Sequence, residues 1–130
     1  MSVSDYSRIF IVEDEAILAF EMSDILEELG FVVVGPAGHV DDALELARTA
    51  QIDAAFLDVN LGQGATSKPV ADMLRERDIP FVFVTAYDAD QITFRTSDDK
   101  VLKKPVTSTE MLTTLRKVLP QYEAPPGEED

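Results

Sequence analysis

Five short apolar runs, at residues 8–13, 31–35, 53–58, 80–85 and 100–103, alternate along the chain with stretches whose apolar residues recur every three or four positions. Strand-length and helix-length patterns in alternation predict an α/β fold. Parallel strands cannot be joined by tight turns, so each pair needs a crossover, and the intervening helical stretches supply it.

The helical stretches carry their own start and stop signals. The first is read over 16–29, with Ile17, Leu18, Met22, Ile25, Leu26 and Leu29 on one stripe and Gly30 as its stop. A second, over 41–50, is started by Asp41 or Asp42 and turns Ala43, Leu44, Leu46 and Ala47 toward the sheet. A third begins near Pro69, a favourable first-turn residue, and carries Val70, Ala71, Met73 and Leu74. The segment 88–99 offers only Ile92 and Phe94 as anchors among β-branched and turn-forming residues, so its helix is expected to be short or irregular. The last helix follows Thr107 or Ser108 as cap, with Glu110 close behind and a stripe of Met111, Leu112, Leu115, Val118 and Leu119. Residues 7–120 are thus expected to form one domain, and 121–130, acidic and poor in apolar residues, a disordered tail.

Two of the apolar runs stop at carboxylates. The first ends in Glu13, Asp14 and Glu15, the third in Asp58, Val59 and Asn60. In an open α/β sheet, ligands bind in the crevice outside the carboxyl ends of the strands, so acids at several strand ends make one pocket. Two carboxylates ~4 Å apart repel by roughly 4 kcal/mol at an effective dielectric of ~20, and the pocket needs a cation or a proton. A hard divalent ion suits it: Mg²⁺ takes oxygen ligands and is usually held by one or two carboxylates plus a phosphate.

Composition narrows the function classes. The 130 residues, 45% of them hydrophobic, suffice for one core. With 25 acidic against 11 basic residues, the formal charge of −14 opposes binding to nucleic acid or to an anionic membrane. Cysteine is absent and His39 is the single histidine, which leaves no thiolate zinc site and little scope for a histidine triad. No stretch approaches a membrane span, and the first residues lack the pattern of a signal peptide, so a cytoplasmic location is expected.

Four pieces in register at the strand ends carry a resemblance: Val12-Glu13-Asp14-Glu15, Leu57-Asp58-Val59-Asn60, Val84-Thr85-Ala86 and Leu102-Lys103-Lys104-Pro105. Together they resemble the receiver domain of two-component response regulators, over about residues 7–120 and in the single-domain form. The resemblance implies a doubly wound, flavodoxin-like sheet of five parallel strands in the order 2-1-3-4-5. It implies Asp58 as phosphoacceptor, attacking the phosphorus of a phosphohistidine on a sensor histidine kinase or histidine phosphotransfer protein. Asp14 and Asp58 would ligate Mg²⁺ with the main-chain carbonyl of Asn60, and Glu13 would act through a bound water. Lys104 and Thr85 would reach phosphoryl oxygens, and a cis peptide bond before Pro105 would turn Lys104 into the pocket. Physical chemistry agrees that a carboxylate can serve as such a nucleophile.

Two departures from the usual family pattern stand out. An aromatic residue is common three positions before the lysine; here that position is Val101. After the phosphoacceptor the chain runs through a longer glycine-bearing loop, residues 61–69, whose flexibility is expected. With Phe83-Val84-Thr85-Ala86-Tyr87, these features are similar to the subfamily that has a Phe-Ala-Thr-Gly-Tyr-like motif at strand four, and Tyr87 becomes the candidate switch. Phe20 on the first helix has two readings, contact with a partner or packing in the core.

Three other functions compete with a stand-alone receiver that alters partner binding or acts as a phosphate sink. A non-phosphorylated pseudo-receiver would keep the fold as a binding module. A haloacid-dehalogenase-like phosphatase needs a second acid two residues after the nucleophile, where this chain has Asn60. A flavodoxin-like nucleotide binder needs a phosphate-cradling loop that is not evident here. A receiver of this kind is expected to perform only its own phosphotransfer and dephosphorylation, as a monomer or weak dimer, and to act on a downstream protein target.

Overall fold

The computed structural model describes residues 7–86, 92–94 and 99–119. Five strands, β1 (Arg8–Val12), β2 (Val32–Ala37), β3 (Ala54–Asp58), β4 (Phe81–Thr85) and β5 (Lys100–Lys103), form one sheet in the order β2-β1-β3-β4-β5. Every neighbouring pair is parallel. The described helices are α1 (Ala16–Glu28), α2 (Val40–Thr49), α3 (Lys68–Glu76) and α4 (Ser108–Val118). Of the expected helix over 88–99, only 92–94 and 99 are described, and Tyr87 and the 121–130 tail lie outside the described residues.

The central strands read as continuous apolar runs because both of their faces are covered. Side chains alternate between those faces. Ile9 and Ile11 of β1 join Met22, Leu26, Phe56, Met111 and Leu115, the layer beneath α1 and α4. Phe10 and Val12 join Ala43, Ala47, Leu57, Val70, Leu74 and Phe83, the layer beneath α2 and α3. Ile92 is buried in this second layer, and Phe94 packs edge-on against Phe83 at 5.5 Å between ring centroids.

Local chemistry differs from expectation at three points. Ile17 is 78% exposed rather than part of the buried stripe of α1, which consists of Ala19, Met22 and Leu26. It lies five residues before Met22, about 140° away round the helix. The cap of α2 is His39, with Asp41 and Asp42 inside the first turn, where the helix dipole favours them. β2 continues past residue 35 to Ala37, with a register shift against β1 between Phe10 and Val12. Gly35 has φ +88°, and a Cβ there would meet the Ala37 amide nitrogen at 2.9 Å, so the irregularity requires glycine. The start of α4 is as expected: Thr107 and Glu110 form a reciprocal capping box.

The order reverses at β1. The chain leaves β1 for β2 on one side and returns to β3 on the other, so the crevice between the carboxyl ends of β1 and β3 is the topological switch point.

Candidate functional site

Glu13 and Asp14 follow the last residue of β1, Asp58 ends β3, Thr85 ends β4, and Lys104 follows β5. Parallel registers align these ends. Asp58 pairs with Val84, one residue short of Thr85, and Thr85 pairs with Lys103. The Lys104 amide donates to the Thr85 carbonyl at 2.8 Å, continuing the ladder by one residue, and the Lys104–Pro105 peptide bond is cis.

The side chains converge. One oxygen from each of Glu13, Asp14 and Asp58 can be chosen so that all lie within 4.8 Å of one another. Lys104 Nζ lies 3.2 Å from Glu13 Oε1 and 3.3 Å from Asp58 Oδ2. Glu13, Asp58 and Thr85 are buried, whereas Asp14 is exposed, so the pocket has a closed floor and an open mouth. Asn60, two residues beyond Asp58, is exposed and pairs with Thr66 in an antiparallel bridge.

Electrostatics follow from that geometry. Burial, then the neighbouring Glu13 carboxylate, push the Asp58 carboxyl up to about 7 against the pull of Lys104. Burial works against the Lys104 ammonium, but Asp58 and Glu13 outweigh it and hold its pKa above the ordinary lysine value. Three carboxylates around one ammonium leave an excess of negative charge. A group able to accept several oxygen ligands and bring positive charge would relieve it.

Residues 9–116 match the response regulator receiver domain. The chain belongs to that family. PdtaR, a transcriptional regulatory protein of Mycobacterium tuberculosis, is 25% identical over 118 residues, which cover 88% of this chain and 58% of PdtaR. The phyllosphere-induced regulator PhyR of Methylorubrum extorquens is 31% identical over 83 residues, 62% of this chain and 31% of PhyR. The chain therefore spans little more than half of the one relative and less than a third of the other. The solution structure of SdrG from Sphingomonas melonis Fr1 is 43% identical with a TM-score of 0.77, covering 92% of this chain and 99% of that one. The BeF3-activated conformation of SdrG is 44% identical with a TM-score of 0.73, covering 86% and 95%.

Receiver domains bind Mg²⁺ at an acidic pocket and interact with histidine kinases and downstream effectors; they are generally not enzymes in the ordinary sense. The residues of this receiver suit such an ion. Glu13 Oε1 is buried with no hydrogen-bond partner among the described residues, although Lys104 Nζ stands 3.2 Å from it. An all-oxygen donor set with a spare buried lone pair matches a hard cation and its waters. No described helix is long and apolar enough to cross a membrane.

One residue of the receiver site, Glu15, had no role assigned from the sequence, and the two departures from the family pattern, the loop after Asp58 and Val101, take definite positions. Glu15, 68% exposed, stands 3.7 Å from Lys104 Nζ, and its amide donates to Glu13 Oε2 at 3.1 Å. Its signal was its place as third acid in the run that ends β1. The loop after Asp58 is internally bonded: Leu61 N donates to Ala65 O at 2.9 Å, Ala65 N to Gly62 O at 2.8 Å and Ser67 N to Val59 O at 3.0 Å. Gly62, at φ +81°, lies where a Cβ would come within 3.2 Å of Asp14 Oδ2, so the loop walls the Asp14 side of the pocket. Val101, in place of the usual aromatic, is half-buried and packs against the α2–α3 layer.

Proposed function

We propose that this receiver accepts a phosphoryl group on Asp58. The observation that carries the reading is the position of the Asp58 carboxylate: at the switch-point end of β3, beside two further acids, with the Lys104 ammonium 3.3 Å from Oδ2. An Asp58 oxygen attacks the phosphorus of a phosphohistidine on a histidine kinase or phosphotransfer protein. A P–O bond forms, the P–N bond breaks, and the protonated imidazole departs neutral with the bond's electron pair. Lys104 gives up a carboxylate contact to meet a phosphoryl oxygen, and the Thr85 hydroxyl meets another.

Asp14, Asp58 and the main-chain carbonyl of Asn60 would hold Mg²⁺, with Glu13 acting through a water. The ion, when bound, supplies positive charge against the phosphoryl oxygens. The BeF3-activated conformation of SdrG supports the reading, because trifluoroberyllate imitates a phosphoryl group and that relative is 44% identical. Signalling then proceeds by altered binding of a downstream protein or by draining phosphoryl groups from the kinase. The cytoplasm is the place for either.

Intact-mass measurement after incubation with acetyl phosphate and Mg²⁺ tests this. One phosphoryl group should add to the wild-type chain, and none should add with a chelator. No addition from either acetyl phosphate or phosphorylated kinases would assign the pocket to a non-phosphorylated binding module.

A further inference from the structure

The proposed phosphotransfer uses every acid of the pocket except Glu15. Its carboxylate is 68% exposed and stands at the mouth, 3.7 Å from Lys104 Nζ, while Glu13 and Asp58 hold the same ammonium from below at 3.2 and 3.3 Å. Glu15 occupies the N-cap position of α1, yet its side chain makes no capping hydrogen bond. Its side chain thus contributes to the helix through its charge near the N-terminus, which the macrodipole favours, and not through a cap hydrogen bond. The same charge stands over the Lys104 ammonium, which an incoming phosphoryl group must reach.

We propose that Glu15 is a positioning and selectivity residue: it draws Lys104 toward the mouth and repels small free phosphoryl anions, so that the pocket resists adventitious phosphorylation. This rests on the phosphoacceptor reading of Asp58. Two physical effects act in the same direction. A dianionic donor such as acetyl phosphate must pass an exposed carboxylate before it meets positive charge, which lowers its local concentration. Lys104 must also part from Glu15 to turn onto the phosphoryl oxygens. Both effects are electrostatic and unshielded at the mouth, so salt weakens them; the Debye length is about 10 Å at 0.1 M ionic strength.

The test is a charge series at position 15, with phosphorylation of the full chain by acetyl phosphate in Mg²⁺ followed by intact mass at low and high salt. Glu15→Gln should react about threefold to fivefold faster than wild type at low salt, the size expected for one exposed charge interaction, and Glu15→Lys faster still. The three rates should converge at high salt. Calorimetric titration with trifluoroberyllate and Mg²⁺ should show the same order of affinities without any turnover. Equal rates across the series, or differences that persist unchanged at high salt, would overturn the proposal while leaving Asp58 as phosphoacceptor. A wild-type chain that takes up no phosphoryl group from any donor would instead overturn the phosphoacceptor reading itself. The melting temperature of Glu15→Gln is expected within a degree or two of wild type, because the side chain is mostly exposed and makes no cap, whereas Glu15→Lys should melt lower, since it sets a cation at the helix N-terminus beside Lys104.

Discussion

Lys104 Nζ stands 3.3 Å from Asp58 Oδ2, and the two residues come from strands that do not touch in the sheet: β4 lies between β3 and β5. The contact therefore reports the alignment of three strand ends. It depends on the Lys104 amide continuing the ladder onto the Thr85 carbonyl.

Removing that lysine should destabilise the metal-free protein. Lys104→Ala leaves Glu13 and Asp58 facing each other without the ammonium that stands between them, and the loss of one partner from a largely buried ion pair is costly. We expect a loss of about 1–3 kcal/mol in urea unfolding at neutral pH, discounted because Lys104 is partly exposed. The deficit should shrink at pH 5, where Asp58 carries a proton.

Asp58 should leave a signature in the pH dependence of stability. Its carboxyl is pushed up to about 7 in the folded protein against 3.8 when free. The folded state thus binds more protons between those values, and this group's contribution is fully present below about 3.8 and lost as pH rises through about 7. Asp58→Asn, which cannot ionise, should be more stable than wild type at pH 8 by about 1–2 kcal/mol after allowing for solvent screening, and the gap should close toward pH 4. Chelator-treated samples unfolded in urea across that range measure it.

Mg²⁺ should raise the melting temperature of the unphosphorylated chain. A ligand that binds only the folded state adds about 2.7 kcal/mol at one hundred times its dissociation constant. Asp14→Asn and Glu13→Gln should each reduce the shift at a fixed Mg²⁺ concentration, and a chelator should abolish it in the wild type. Scanning calorimetry with and without the ion provides the comparison.

The exposed apolar pair on α1 separates folding from docking. Ile17 and Phe20 are 78% and 71% exposed, so Ile17→Ala with Phe20→Ala should change unfolding free energy by no more than about 0.5 kcal/mol per site. Transfer from a phosphorylated histidine kinase should slow at least several-fold, while reaction with acetyl phosphate should be unchanged. Slowing with both donors would place these residues in the pocket's own support.

The architecture was legible because β1, β3 and β4 are buried on both faces and so appear as unbroken apolar runs, with carboxylates and a threonine where the burial stops. Strands that run the same way bring their carboxyl ends to one edge, which places Glu13, Asp14 and Asp58 together, while the strand order and the role of Lys104 came from the resemblance to receiver domains. Contacts that depend on side-chain reach were not legible. Nothing in the spacing of Glu15 and Lys104 signals a 3.7 Å approach, and nothing marks Arg77, which reaches from α3 to donate to the Ala47 and Ala50 carbonyls at 2.6 and 2.9 Å. Ile17 misled for a different reason: α1 carries more apolar residues than one face can bury, so periodicity alone does not decide which are left outside. The bonded loop after Asp58 was hidden because its glycines were read as freedom, where Gly62 in fact serves close approach to Asp14.

The central claim is that Asp58 itself carries the phosphoryl group, and the most direct measurement locates the modification. Chain treated with acetyl phosphate and Mg²⁺ would be reduced with borohydride, which converts an aspartyl phosphate to homoserine, and then mapped by peptide mass spectrometry. Homoserine at position 58, absent from the chelator control and from Asp58→Ala, is the predicted result. Modification at Asp14 or elsewhere with Asp58 intact would contradict the account.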